Sequence, residues 1–324
     1  MRRLPRHSFR MALHTLFACA ATLCLPQAQA QGTHPIKLVV PVPAGGSLDA
    51  LARKVALSFT AVSGQAIIVE NRPGASGQIG IEQVAKSAPD GKTLLVGSSF
   101  LSTNPLQFKG ALNPQTELKP VVRLADNEIY LVVNPSLQLE KPEDLRELAR
   151  QRPGGLNCAA VPGQMALGCE RLKILQDGKL TSIPYPGVAP ALTAVAAGHV
   201  DLIFTTHGSL KALVESRRVQ PLAVVAEKHG KPPFERLPVL KDTWPGFVMG
   251  GYAGIFVPAG TPPAVIAALN SEFNRALATP ELTQALQEIG YTKRGGSPEV
   301  LARTLASDAT FYNRIAADTG LVPQ

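Results

Sequence analysis

Residues 37–56 read as a buried strand, a glycine loop and the start of a helix, and that order leaves few folds open. Leu38-Val39-Val40 is a short apolar run of the kind a sheet covered on both faces takes. Pro41 and Pro43 lack ladder donors and end it. Gly45 and Gly46 let the backbone turn sharply and stay uncovered. Ser47 and Asp49 are both helix N-cap types. A glycine loop at a helix start leaves several N–H groups free, backed by the positive end of the helix dipole. The stretch is therefore expected to form one lip of an anion-binding cleft.

The same strand–loop–helix order recurs. Ala66 to Val69 reads as a second strand, followed by the turn-rich Glu70 to Gly77 and a helix over Gln78 to Lys86. Thr93 to Val96 is a third strand, ending in Gly97-Ser98-Ser99. Val121 to Leu124 and Ile129 to Val133 read as separate strands. Further strands are expected at Leu156–Ala160, Ser182–Tyr185, Val200–Phe204, Leu222–Val225 and Tyr252–Val257, with helices between most of them. Pro262–Leu277, Glu281–Ile289 and Pro298–Thr319 read as helices. Strands alternating with helices predict a mostly parallel sheet, whose ligands sit beyond the carboxyl ends of the strands. The 324 residues suffice for two domains, and no Gly/Ser linker splits them. The chain is expected to cross between domains near Asn127–Val133 and Gly246–Tyr252.

The first thirty residues carry an export signal: Arg2, Arg3, Arg6 and Arg10, then the apolar Met11 to Leu25, then Ala28-Gln29-Ala30. Cleavage is expected after Ala30, and residues 1–30 belong to no domain. Losing those four arginines lowers the net charge from +8 to +4. No dense Lys/Arg block with interleaved aromatics remains, so nucleic acid is not an expected partner. Of four cysteines, Cys158 and Cys169 stay in the exported chain, and a disulfide between them suits an oxidising compartment.

Catalytic and metal patterns fail one by one. Gly91-Lys92-Thr93 lacks the upstream glycine of a phosphate loop, since Lys86 stands there. Gly74, Gly77 and Gly80 are spaced for a turn and close packing, not for a dinucleotide. There is no Gly-x-Ser-x-Gly or Ser-x-x-Lys. His34, His199, His207 and His229 are scattered without zinc spacing, and His207 reads as an exposed loop histidine at a strand end. Asp126 and Glu128 fall at a domain crossing, where a surface role is expected. No metal, no cofactor and no enzymatic activity are expected. What remains is a set of strand ends tipped with Gly, Ser and Thr, suited to small anions.

Several stretches together resemble the periplasmic receptors of tripartite tricarboxylate transporters, the Bug receptors. They are Pro41-Val-Pro-Ala-Gly-Gly-Ser-Leu-Asp49, Val69-Glu-Asn-Arg-Pro-Gly-Ala-Ser-Gly77, Ala88-Pro-Asp-Gly-Lys-Thr-Leu-Leu95, Pro184-Tyr-Pro-Gly-Val-Ala-Pro-Ala-Leu192 and Val257-Pro-Ala-Gly-Thr-Pro262. The resemblance runs from about Pro35 to Leu321. It implies an α/β protein of the type II periplasmic-binding-protein fold, two lobes joined by two crossing segments with a ligand cleft between. The first lobe would hold residues 31–128 and 249–324, the second 129–248. It implies a monomer that binds a di- or tricarboxylate, an acidic amino acid or a related acid. Membrane transporter subunits would read the closed form; a sensor kinase is the alternative partner. By position the implied ligand contacts are Ala44, Gly45, Gly46, Ser47, Asp49, Ser98, Ser99, Gly163, Gln164 and Thr205. Capping is the favoured role for Asp49, because an acid beside a bound anion is unfavourable. Departures fall on the ligand side: Pro186 where the family often has Lys, a shorter Pro162–Cys169 loop without His, Thr205 where Asp is common, and Tyr252 where Trp is common. A receptor for a neutral or aromatic ligand therefore stays open as an alternative, and an exported hydrolase is disfavoured for want of a nucleophile and base.

Overall fold

The computed structural model describes residues 35–228, 230 and 232–320, so the expected leader with Ala30, and His34 and His229, lie outside the described residues. Ten strands form one sheet: β1 (Ile36–Val40), β2 (Ile67–Asn71), β3 (Thr93–Ser98), β4 (Leu118–Val133), β5 (Leu156–Ala160), β6 (Leu180–Pro184), β7 (Leu202–Thr206), β8 (Gln220–Val224), β9 (Gly250–Pro258) and β10 (Tyr291–Lys293). The helices of eight or more residues are α1 (Ser47–Ser63), α2 (Gln78–Ala85), α3 (Phe100–Gln107), α4 (Asp144–Gln151), α5 (Gln164–Leu175), α6 (Val188–Ala196), α7 (Pro263–Leu277), α8 (Pro280–Glu288) and α9 (Pro298–Thr319). The strand order is β2-β1-β3-β9-β4-β7-β5-β6, with β8 and β10 added on β4. β1 is parallel to β2 and β3, and β5 is parallel to β6 and β7, as a strand–helix repeat requires, but every pairing of β4 and β9 is antiparallel, so the sheet is mixed and not mostly parallel as expected.

β4 organises the sheet. The sequence suggests two strands here, but one strand of 16 residues runs from Leu118 to Val133. The polar Asp126-Asn127-Glu128 resembles a turn, yet it stays in the ladder because partners flank it on both sides. Asp126, Asn127 and Glu128 pair with Tyr252, Gly251 and Gly250 of β9, and Asp126 and Asn127 also pair with β10. From Ile129 onward the partners change to β7 and β8. The return passage is adjacent, since Met249 N–H donates to Val225 while Gly250 already pairs with Glu128. The buried side chains divide at the same place. One cluster draws on Ile36 to Ala125 and Ala253 to Tyr291, and a second on Ile129 to Met249.

Helix α9 adds a link between these regions. Its Leu301 and Leu305 pack with Tyr252 and Phe256, while Tyr312 and Ile315 pack with Leu167 of α5. Asp308 sits on its inward side, with Oδ2 taking no hydrogen bond among the described residues. Burial pushes this carboxyl up to about 7; Arg123 pulls it down and Asp126 pushes it further up. Arg123 is itself committed to Asp126 at 2.6 Å and to Thr304 at 2.9 Å. The folded protein therefore holds a proton that the unfolded chain releases near pH 4, so stability falls as pH rises from there through about 7. Asp308→Asn is expected to gain about 1–2 kcal/mol at pH 8 and nothing at pH 4, the discount allowing for partial exposure. Urea unfolding at both pH values checks this, and an equal gain at both would sink it.

Candidate functional site

A cavity of about 780 Å³ lies where the loops beyond the strand ends meet, within the ~300–1,000 Å³ range of small-molecule clefts. Its wall is made of helix starts. The N-cap residues of α1, α2, α3, α5 and α6 are Gly46, Gly77, Ser99, Gly163 and Gly187, and all of them line the cavity. Among the described residues none of these ends receives a side-chain cap. Of the four helices that start elsewhere, only α8 has a side-chain cap among the described residues. α7, α8 and α9 open with Pro263, Pro280 and Pro298, and Thr279 caps α8. α4 carries Asp144 and Glu147 in its first turn. The starts of α1, α3, α5 and α6 present free N–H groups and the positive end of a dipole, whereas at α2 the Gly77 and Gln78 N–H groups bond back to Gly74 and Ala75. The shared exposure of those four starts to one cavity creates a positive potential without a cation. Among the described residues no Lys, Arg, His, Asp or Glu lines this cavity.

The glycine loop is shaped by Asp49. Its Oδ2 accepts the Gly45 N–H at 2.9 Å and its Oδ1 accepts Asn71 Nδ2 at 2.9 Å. Arg53 pairs with it at 3.0 Å, and Asn71 Nδ2 also donates to the Val42 carbonyl. Burial pushes the Asp49 carboxyl up, but Arg53, the Gly45 N–H and Asn71 together hold it below the ordinary carboxylate range. Gly45 has φ +88°, a conformation that a side chain would strain. Gly80, in the second loop's helix, admits no side chain: a Cβ there would lie 2.9 Å from the Arg72 carbonyl and 3.0 Å from Pro41. Tyr291 closes this side of the cavity, and its phenol meets Ser47. Burial pushes that phenol up to about 12, against a smaller pull from Ser47, so it keeps its proton.

The lip before α5 is tied down from outside its own region. Gln107, the last residue of α3, donates to the Gly163 carbonyl at 2.8 Å and accepts the Gly163 N–H at 2.9 Å. Gln164 accepts the Tyr312 hydroxyl at 2.6 Å through Oε1. Cys158 and Cys169 are bridged, with Cα atoms 5.9 Å apart, on either side of the same lip.

Of the expected contacts, Ala44, Gly45, Gly46, Ser47, Ser98, Ser99, Gly163 and Gln164 all line the cavity. Two do not. Asp49 lies behind the loop, turned toward Arg53 and Asn71. Thr205 is fully buried and pairs with Tyr130, while its neighbour Thr206 lines the cavity. Successive strand side chains point to opposite faces, so an error of one position moves the contact to the other side. Gly163 contributes shape, since its N–H is already taken. His207 is buried against Tyr130 and Phe234, not exposed. Asp126 is partly buried between Arg123 and Arg294. The reading missed Asn104, Asn127, Gly187 to Pro190, Ser209 and Tyr291. Pro186-Gly187 carried a visible signal, a turn before a small-residue helix.

Comparison with known proteins gives a consistent picture. The sequence profile of the tripartite tricarboxylate transporter family receptor matches residues 51–321. The chain is similar to a solved R. palustris protein, Rpa4515 with adipate, at 32% identity and TM-score 0.82, covering 90% of this chain and 98% of that one. The periplasmic binding protein BugD follows at 26% identity and TM-score 0.80, covering 90% and 99%. MatC of Rhodopseudomonas palustris with bound malate matches at 26% identity and TM-score 0.78, covering 87% and 98%.

Proposed function

The chain belongs to the tripartite tricarboxylate transporter receptor family, and from that premise we propose that it captures a small carboxylate outside the cytoplasm for a membrane transporter. The observation that carries the reading is the convergence of uncapped helix starts on a cavity lined, among the described residues, by no charged side chain. Neutral N–H and O–H donors preorganised by glycine loops suit a carboxylate, which accepts several at once. The adipate and malate bound by the similar proteins fit this class. A cavity lined, among the described residues, by no Lys, Arg, His, Asp or Glu suits capture and release of an unchanged solute.

In this reading residues 31–128 with 249–324 form one lobe and 129–248 the other. The carboxylate sits at Ala44, Gly45, Gly46 and Ser47, near Ser98 and Ser99, and faces Gln164 and Thr206 across the cleft. Closure of the lobes about the paired passages at Glu128 and Gly250 buries the ligand and makes the surface a transporter subunit reads. The protein acts after export, with its leader removed near Ala30, and acts as a monomer.

Two measurements test this. Ligand that binds only the folded state raises the unfolding temperature by an amount that grows with the logarithm of its excess over Kd. Protein stripped by unfolding and refolding is expected to be stabilised by one or more small carboxylates and not by their amides. Stabilisation by amides alone would overturn the carboxylate seat. Tyr291→Phe keeps the buried ring and removes one donor at Ser47, so it is expected to weaken binding about tenfold, the size of one charge-assisted hydrogen bond. Unchanged affinity would remove Tyr291 from the site.

A further inference from the structure

Gln164 opens α5 at the cavity wall, and a glutamine amide accepts at one end and donates at the other. Which end meets the ligand decides whether the residue attracts or repels a carboxylate. The choice is made from behind the wall. Tyr312 of α9 is buried and does not line the cavity, and its hydroxyl lies 2.6 Å from Gln164 Oε1. That separation is ordinary for O–H···O and too short for N–H···O, so the phenol donates and the amide oxygen accepts. Burial, with the charge of Asp308 behind it, pushes the Tyr312 phenol well above its ordinary range, so its proton stays available. Ser99, which caps the start of α3 and lines the cavity, hydrogen-bonds the same phenol. One buried hydroxyl thus stands behind two of the helix starts. Its surroundings leave it little play. Tyr312 packs with Leu167 and Ile315, and its ring meets Phe311 edge-on with centroids 5.2 Å apart. Gly163, next to Gln164, is held through both backbone groups by Gln107.

Resting on the carboxylate reading above, we propose that Tyr312 is a positioning residue for selectivity: by taking Gln164 Oε1 it turns Nε2 toward the ligand and makes this position favour acids over amides. Either oxygen of a carboxylate can accept that N–H. A ligand amide can offer only its carbonyl oxygen, and its own NH2 is then left among the other donors of the cavity. A glutamine released from Tyr312 can present either end, and the preference is lost. The selectivity of the cavity wall is therefore set in part by α9, from a residue that never touches the solute.

Calorimetric titration of the stripped, refolded protein with adipate, malate and benzoate, and with the amide of each, tests this. Tyr312→Phe keeps the buried ring and removes the donor. It is expected to weaken the tightest of the three acids about tenfold and the matching amide by less than threefold. Equal losses would mean that the hydroxyl only steadies the lip, and unchanged acid affinity that it does nothing there; either overturns the inference and leaves the carboxylate reading intact. Gln164→Glu keeps an acceptor for Tyr312 and replaces the outward NH2 by oxygen. Acid binding is expected to fall at least a hundredfold, because two carboxylates then meet, and amide binding by less than threefold. An acid loss below threefold would show that Nε2 does not face the ligand. In a Gln164→Ala background Tyr312→Phe is expected to change acid affinity by less than twofold, and a tenfold loss there would place its effect elsewhere and overturn the inference. If none of the three acids binds the wild type, this inference and the carboxylate reading fall together.

Discussion

Asp49→Ala is expected to cost about 2–4 kcal/mol of folding stability at pH 7, and to weaken carboxylate binding by more than tenfold, although Asp49 does not line the cavity. The carboxylate is buried and receives the Gly45 N–H, the Asn71 amide and the Arg53 guanidinium. Arg53 is half exposed and regains water when Asp49 is lost. The Gly45 N–H and Asn71 do not regain it as easily, and an unpartnered buried donor costs more than a typical hydrogen bond contributes. The binding effect follows from the loop. Gly45 holds a left-handed turn only while its N–H is anchored, and the free donors at Ser47 and Leu48 depend on that turn. The pH dependence has a definite sign. A carboxyl held below its unfolded value near 3.8 stabilises the fold above that pH, and the contribution is lost as pH falls through the folded value. The difference between wild type and Asp49→Ala should therefore be largest at neutral pH and shrink below about pH 4. Urea unfolding at pH 7 and pH 3.5 checks this. A constant difference would mean that packing, not charge, carries the effect.

The parts of the fold that could be read in the chain are those governed by neighbours in sequence. β1 is legible because Leu38, Val39 and Val40 are an apolar run cut off by Pro41, and the loop because two adjacent glycines precede Ser47, a residue of N-cap type, although Gly46 itself takes the cap position. The parts that escaped depend on partners far away. Val121 to Leu124 and Ile129 to Val133 look like two strands because Asp126, Asn127 and Glu128 look like a turn, and only β9 and β10 show why they stay in the ladder. Tyr291 sits in a strand of three residues, too short to give a periodic signal. The Gln107–Gly163 pair joins residues 56 apart, and no local pattern announces it. Thr205 and Thr206 differ only in which face of β7 they occupy, and that choice is made by the sheet. The site follows the same rule. Loops built from glycine and serine could be assigned to it by type, whereas the parity of one threonine emerges only when the strands are paired.

Removing the Cys158–Cys169 bridge is expected to be the other large effect, and to fall on stability more than on binding. The bridge closes a loop over a sequence separation of 11. Chain entropy for a loop of that size gives about 3 kcal/mol. Both residues are fully buried in the cluster with Leu156, Leu172 and Phe204. A serine pair would add the cost of burying two hydroxyls, so the double alanine variant isolates the cross-link. Urea unfolding of wild type is expected to lose about 3 kcal/mol on adding reductant, while the Cys158→Ala/Cys169→Ala variant does not respond. Binding is another matter, because the lip enclosed by the bridge has two further anchors. Gln107 holds both backbone groups of Gly163, and Tyr312 holds Gln164 at 2.6 Å. Neither depends on the sulfurs. In the folded state the lip keeps its position, so affinity for the carboxylate should change by less than about threefold. A much larger loss of affinity in the double alanine variant, at a temperature where it is fully folded, would show that the bridge and not Gln107 sets the geometry of that lip. Adding Gln107→Ala to the variant is the decisive step. With the bridge and Gln107 both gone, only the Tyr312 contact to Gln164 holds the lip, and binding should then fall beyond the sum of the two separate losses.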